Sequence, residues 1–159
     1  MRVYKTEGIV LKRKNIGEAD RLLTIFTKDN GKITIKAAGV RKITSRRASH
    51  IEPLNKVVIS LHKGKGTPVL TEATTLHNHE AIKSNLKKVG LAYHICEIVD
   101  GLCAEGAENN GVYQLLESIL VDIEEGKNIV QRMYDFEMEL LHLLGFYPKT
   151  QVAADFNPS

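Results

Sequence analysis

The sequence contains no tryptophan, only two cysteines and four prolines, and aromatic residues make up just 6% of it. Its apolar runs are only a few residues long, as at Ile9 to Leu11, where spanning a bilayer takes about 20. A membrane-spanning helix is therefore not expected. The start, Met1 to Lys5, has no apolar signal-peptide core, so the expected location is the cytoplasm. Tandem C-x-x-C pairs are missing, which excludes a zinc ribbon within these residues. Cys96 and Cys103 lie seven positions apart in a helix-like segment. Two turns rise about 10 Å, too far for a disulfide, so both are expected as reduced core residues.

What is present is an uneven distribution of charge. Residues 1 to 80 carry 16 basic against 7 acidic side chains, a balance of +9, and residues 81 to 159 carry 6 against 12, a balance of −6. The whole-chain value of +3 hides this split. A basic half of this kind points to a polyanionic partner. At 159 residues the chain is long enough to bury about two thirds of its unfolded surface without a metal or disulfide.

The division of charge coincides with a change of period. Tyr4 to Arg13, Arg21 to Thr27, Lys32 to Ala37, Lys56 to His62 and Val69 to Leu76 read as strands, and Lys28 to Gly31 reads as a hairpin turn. Within them Ile33, Ile35 and Ala37 share one face, as do Val57, Ile59 and Leu61. The basic stretch from Gly39 to Pro53 is expected to hold a short helix capped by Ser45 and ended by Pro53. Five strands with a helix-sized piece after the third give the layout of an OB barrel. From Ile82 the period is helical. One amphipathic stripe runs to Leu102, with a possible bend at Gly90, and a second runs from Val112 to Ile123 and ends at Gly126. A third runs from Asn128, with Gln131 in the capping-box position, to Leu144. The expected class is α+β: an OB-fold nucleic-acid-binding domain over residues 1–78, then a helical domain over residues 79–159 forming a small bundle. Tyr147-Pro148 would close the bundle, leaving a loose tail of eleven residues.

The basic positions cluster at Lys12, Arg13 and Lys14, Arg21, Lys32 and Lys36, Arg41 and Lys42, Arg46 and Arg47, and Lys63 and Lys65. In an OB barrel the ligand lies across strands 2 and 3 between the loops after strands 1 and 4, where most of these fall. Six phosphate contacts would give log affinity a slope of about −5 on log salt. Aromatic platforms are scarce in this half. Only Tyr4 and Phe26 occur, and Phe26 sits in an apolar strand. Contact is thus expected mainly with phosphates, with little base preference and tolerance of single- and double-stranded DNA. A surface that neutralises two strands at once meets the physical requirement for annealing them.

Catalytic readings find little support. Glu18 and Asp20 are better placed to hold Arg21 or shape the first loop than to act as acid and base. Gly64 to Thr67 lacks the Walker spacing and joins two strands. His77-x-His79-Glu80 puts two imidazoles on one side of an extended segment, but sequence alone names no third ligand, so metal is not assigned there. Neither an enzyme nor a cofactor is expected.

Several pieces resemble one known family in order and spacing: Glu7 to Lys12, Gly17 to Thr27, Gly31 to Ile33, Gly39 to Lys42 with Ser45-Arg46 and Pro53-Leu54, Leu70 to Ala73, and Leu143 to Pro148. They are similar to the RecO family of DNA repair proteins. The resemblance implies an amino-terminal OB fold, a helical carboxy-terminal domain, and a nucleoid-associated recombination mediator that binds and anneals DNA. Such a mediator works with RecR and single-strand-binding protein and helps to load RecA. It implies Arg41, Lys42, Arg46 and Arg47 as DNA contacts, with Arg21 joining them. Family members usually continue past the equivalent of Pro148 with a stretch that often holds four zinc-binding cysteines. This sequence stops at Ser159 without them, which removes that zinc site and bears on docking of single-strand-binding protein. An adaptor that docks a partner through its acidic helical half, and an RNA-binding OB protein, are the competing readings.

Overall fold

A computed structural model describes residues 2–146; the expected Tyr147-Pro148 closure and the tail lie outside the described residues. Five strands come first: β1 (Arg2–Ile16), β2 (Asp20–Thr27), β3 (Gly31–Ala37), β4 (Lys56–Lys63) and β5 (Val69–His77). Four helices follow: α1 (Glu80–Lys83), α2 (Leu86–Leu102), α3 (Asn110–Glu125) and α4 (Ile129–Leu143). The strands close into a barrel in the order β1-β2-β3-β5-β4, with β3 and β5 parallel at Lys36 and Val69 and all other pairs antiparallel. This is an OB-like strand order, and the helices pack on its outside.

Alternation in the strands builds two cores. Val10, Leu23, Ile25, Ile35, Ala37, Val57, Ile59 and Leu61 fill the barrel, closed at one end by Val40 and Ile51. Ile9, Leu11 and Phe26 point outward from β1 and β2 and join Leu54, Ile82 and the apolar faces of α2, α3 and α4. Phe26 is fully buried there. The register slips between Val10 and Lys12, leaving Leu11 as a bulge on β1. Beside it, Leu54 N–H donates to Val10 O at 2.8 Å, and Val10 N–H donates to Asn55 O at 3.0 Å. These bonds hold Leu54 at φ 78°, in the left-handed region.

The β2–β3 hairpin forms as expected. Gly31 takes φ 66°, and Thr27 Oγ1 accepts from Asn30 N–H at 3.0 Å while donating to Gly31 O at 2.8 Å. No helix forms between Ser45 and Pro53. The stretch is instead a chain of turns closed by bonds such as Ser45 N–H to Lys42 O and His50 N–H to Arg47 O. Ser45 Oγ accepts from Arg47 N–H at 3.3 Å, the local side-chain bond by which serine competes with helical pairing. The first helical stripe is also broken at Asn85, whose side chain accepts from Lys88 N–H at 3.1 Å and starts α2 afresh; Gly90 lies inside α2. Gln131 forms no capping box, because Asn128 sits at φ 51° with no side-chain cap and Gln131 donates to Asp135. Cys96 and Cys103 are free and buried, and burial pushes the Cys96 thiol up to about 12.

Candidate nucleic-acid interface

Antiparallel pairing aligns side chains in rows across the barrel's outer surface. One row is Ile9, Phe26 and Lys32, the next Lys12, Thr24 and Thr34, and the third Lys14, Leu22, Lys36 and Val69. The helical half packs against the first two rows, although Lys12 stays exposed. Lys32 Nζ donates to the Asp100 carbonyl at 2.8 Å and meets its carboxylate at 3.2 Å, while Lys12 reaches the other carboxylate oxygen at 2.6 Å. Thr34 Oγ1 donates to Glu105, and Gly106 N–H donates to Lys32 O at 2.8 Å. Gly31 is needed for this contact, since a Cβ there would lie 2.2 Å from Ala107 O. Burial opposes ionisation of Asp100, but hydrogen bonds from Lys12 and Lys32 outweigh it and leave its pKa below the ordinary value.

The third row stays open, and the loops around it converge. Arg41 donates to the carbonyls of Gly17 at 2.7 Å, Asp20 at 3.2 Å and Ile16 at 3.3 Å, lashing the β3–β4 loop to the β1–β2 loop. Asp20 completes the lashing: its carboxylate accepts from Gly39 N–H at 2.7 Å and faces Lys36 at 3.6 Å, so it shapes the turn rather than holding Arg21. That backbone bond holds its pKa low. Arg47 donates to Ala38 O at 2.6 Å and Leu70 O at 3.0 Å, tying the loop to the start of β5. Neutral carbonyls satisfy the guanidinium hydrogens without cancelling the charge, so both arginines still contribute to the local field.

The eleven candidate cations thus fall into three groups. Lys12, Arg13, Arg21, Lys32 and Lys36 face Asp100, Glu52 or Asp20. Arg41 and Arg47 are held by carbonyls. Lys42, Arg46, Lys63 and Lys65 are exposed, and among the described residues no carboxylate lies within 4.0 Å of them; Lys14 shares that condition. Arg21, at the start of β2, is largely enclosed: Nε donates to Asn15 at 3.2 Å, Nη1 is buried without a hydrogen bond, and burial together with nearby Arg13 lowers its pKa.

Sequence reading missed two features. The counter-charges lie beyond any local spacing: Glu52 is 39 positions from Arg13, and Asp100 is 68 from Lys32. Tyr93 on α2, half exposed, enters a cleft of about 320 Å³ beside Lys12 and Arg13, bringing an aromatic ring from the acidic half to the basic one.

Comparison with known proteins matches the sequence to one family over nearly the whole chain. The family model described as recombination protein O N terminal matches residues 1–79, and the one described as recombination protein O C terminal matches residues 83–157. A DNA repair protein RecO from Roseiflexus sp. (strain RS-1) is 36% identical over 148 residues, 93% of this chain and 52% of that protein. Proteins of the same name from Desulforudis audaxviator and Dehalococcoides mccartyi are 34% and 32% identical, over 94% and 96% of this chain. The chain spans 52–60% of the length of these three relatives.

Proposed function

This chain belongs to the recombination protein O family, and from that we propose that it acts in DNA repair and homologous recombination, binding single- and double-stranded DNA through phosphates and annealing complementary strands. The observation that carries this reading is the open third row of the barrel, flanked by Lys42, Arg46, Lys63 and Lys65, none of which has a carboxylate within 4.0 Å among the described residues. Arg41 and Arg47 hold the loops that present them. Unpaired surface cations exchange solvent counterions for phosphate at little cost, whereas Lys32 and Lys12 must first give up Asp100. Residues 1–78 form the nucleic-acid-binding domain in this reading, and residues 79–159 the helical domain. Partners of the RecR type, single-strand-binding protein and, indirectly, RecA belong to the same proposal, and no catalytic step is assigned.

Annealing of complementary oligonucleotides tests it. The protein should accelerate annealing, and a variant with Lys42, Arg46, Lys63 and Lys65 all changed to Ala should lose most of that acceleration. An unchanged rate in the variant rejects the assignment of the surface. Absence of any binding at low salt rejects the DNA role.

A further inference from the structure

The end of β5 and the middle of the acidic half meet in a cluster that DNA binding does not use. His77 ends β5, and His79 follows with φ 54°, a left-handed conformation that swings its ring back beside the first. The two ring centroids are 4.2 Å apart with planes at 72°. Both rings aim a nitrogen at the same atom: His77 Nε2 lies 2.6 Å from Glu124 Oε1, and His79 Nδ1 contacts that oxygen too. The three donor atoms lie within 4.8 Å of one another. Glu124 sits 45 positions from His79 and on another element, α3.

We propose that His77, His79 and Glu124 form a binding site for one transition-metal dication of the Zn²⁺ type, which clamps the end of the barrel to α3. Two imidazoles and one carboxylate are the donor set that borderline dications prefer, with bonds of about 2.0–2.2 Å. Donors on such an ion stand about 3.3 Å apart, so small side-chain rotations open these three around it. Burial lowers the pKa of His79, the direction that favours the neutral ring. Ionisation of Glu124 is opposed by burial, but the two histidine contacts outweigh this and keep its pKa below the ordinary value. A cavity of about 160 Å³ adjoins the cluster, lined by Ile9, Lys56, Glu117 and Val121 as well as the histidines, with ample room for a water as fourth ligand. Of the nearby ammonium groups, Lys56 is neutralised by Glu117 at 2.6 Å, while Lys88, donating to the Glu124 backbone carbonyl, and Lys83, donating to Asn55, keep their charge and oppose a dication that the Glu124 carboxylate favours.

Untagged chain, stripped with a chelator and dialysed, should take up one equivalent of Zn²⁺ by calorimetry and give the intense visible bands of tetrahedral Co²⁺. Zn²⁺ should also raise its melting temperature. His77→Ala and Glu124→Gln should each weaken Zn²⁺ binding roughly tenfold or more and abolish the thermal shift, whereas His94→Ala should change neither. His77 is exposed, and circular dichroism of the stripped variants verifies that they fold. Lack of saturable uptake overturns the proposal, as does uptake that persists unchanged in both ligand variants.

Discussion

The hydroxyl of Tyr113, buried on α3, donates a 2.7 Å hydrogen bond to the partly exposed Glu7 carboxylate on β1, joining the helical half to the barrel. Burial raises the tyrosine pKa, and the adjoining carboxylate raises it further, so the phenol stays protonated and keeps donating. Tyr113→Phe removes the donor and leaves Glu7 with Lys56 at 3.7 Å. Hydrogen bonds to charged groups contribute about 1.5–3 kcal/mol, and in a chain of this size each 1 kcal/mol moves the melting temperature by about 2–4 °C. Calorimetric melting should register that drop with the fold retained.

Asp100 makes the second tie, and its pH dependence has a definite sign. Its folded pKa is depressed by Lys12 and Lys32 against the opposing effect of burial. Stability from this group is therefore present above the unfolded value of about 3.9 and lost as pH falls through the folded one. Asp100→Asn should be less stable than the parent at neutral pH. The gap should narrow as denaturant melts are repeated below about pH 4.

Glu52 holds two of the candidate cations, meeting Arg13 at 3.2 Å and Arg21 at 3.9 Å. Glu52→Gln keeps the size and removes the charge, freeing both for phosphate. Affinity for a DNA duplex at low salt should rise severalfold, measured by fluorescence anisotropy, and a fall would show that Glu52 orients the arginines for binding.

The exposed lysines at the end of β4 and in the loop after it should show themselves in salt dependence. For duplex DNA each phosphate contact contributes about −0.9 to the slope of log affinity on log salt. Lys63→Ala with Lys65→Ala should make the slope shallower by about 2. Lys32→Ala, whose amine is turned onto Asp100, should leave it nearly unchanged.

Much of the barrel could be read from alternation, since burying Ile35, Ala37, Val57, Ile59 and Leu61 leaves one choice of inner face. Gly31 marked the hairpin because its loop needs a positive φ. Long-range closure was not legible. Nothing local in the sequence links Lys32 to Asp100 or His79 to Glu124, and those contacts decide which cations are neutralised and whether two histidines find a third donor. Within the turn-rich loop from Ala38 to Asn55, the stretch from Ser45 to Pro53 was misread as a short helix because Ser45 suits a cap and a turn equally well, and tertiary bonds from Arg41 and Arg47 settled the choice.

Docking of residues 105–107 against the edge of β3 also sets a limit on footprint. The uncovered strip crosses β1, β2, β3 and β5, three interstrand spacings or roughly 14 Å. A duplex lying along it passes about four base pairs at 3.4 Å each. Any occluded length much greater than this has to come from surfaces beyond the strip, such as the cleft beside Tyr93.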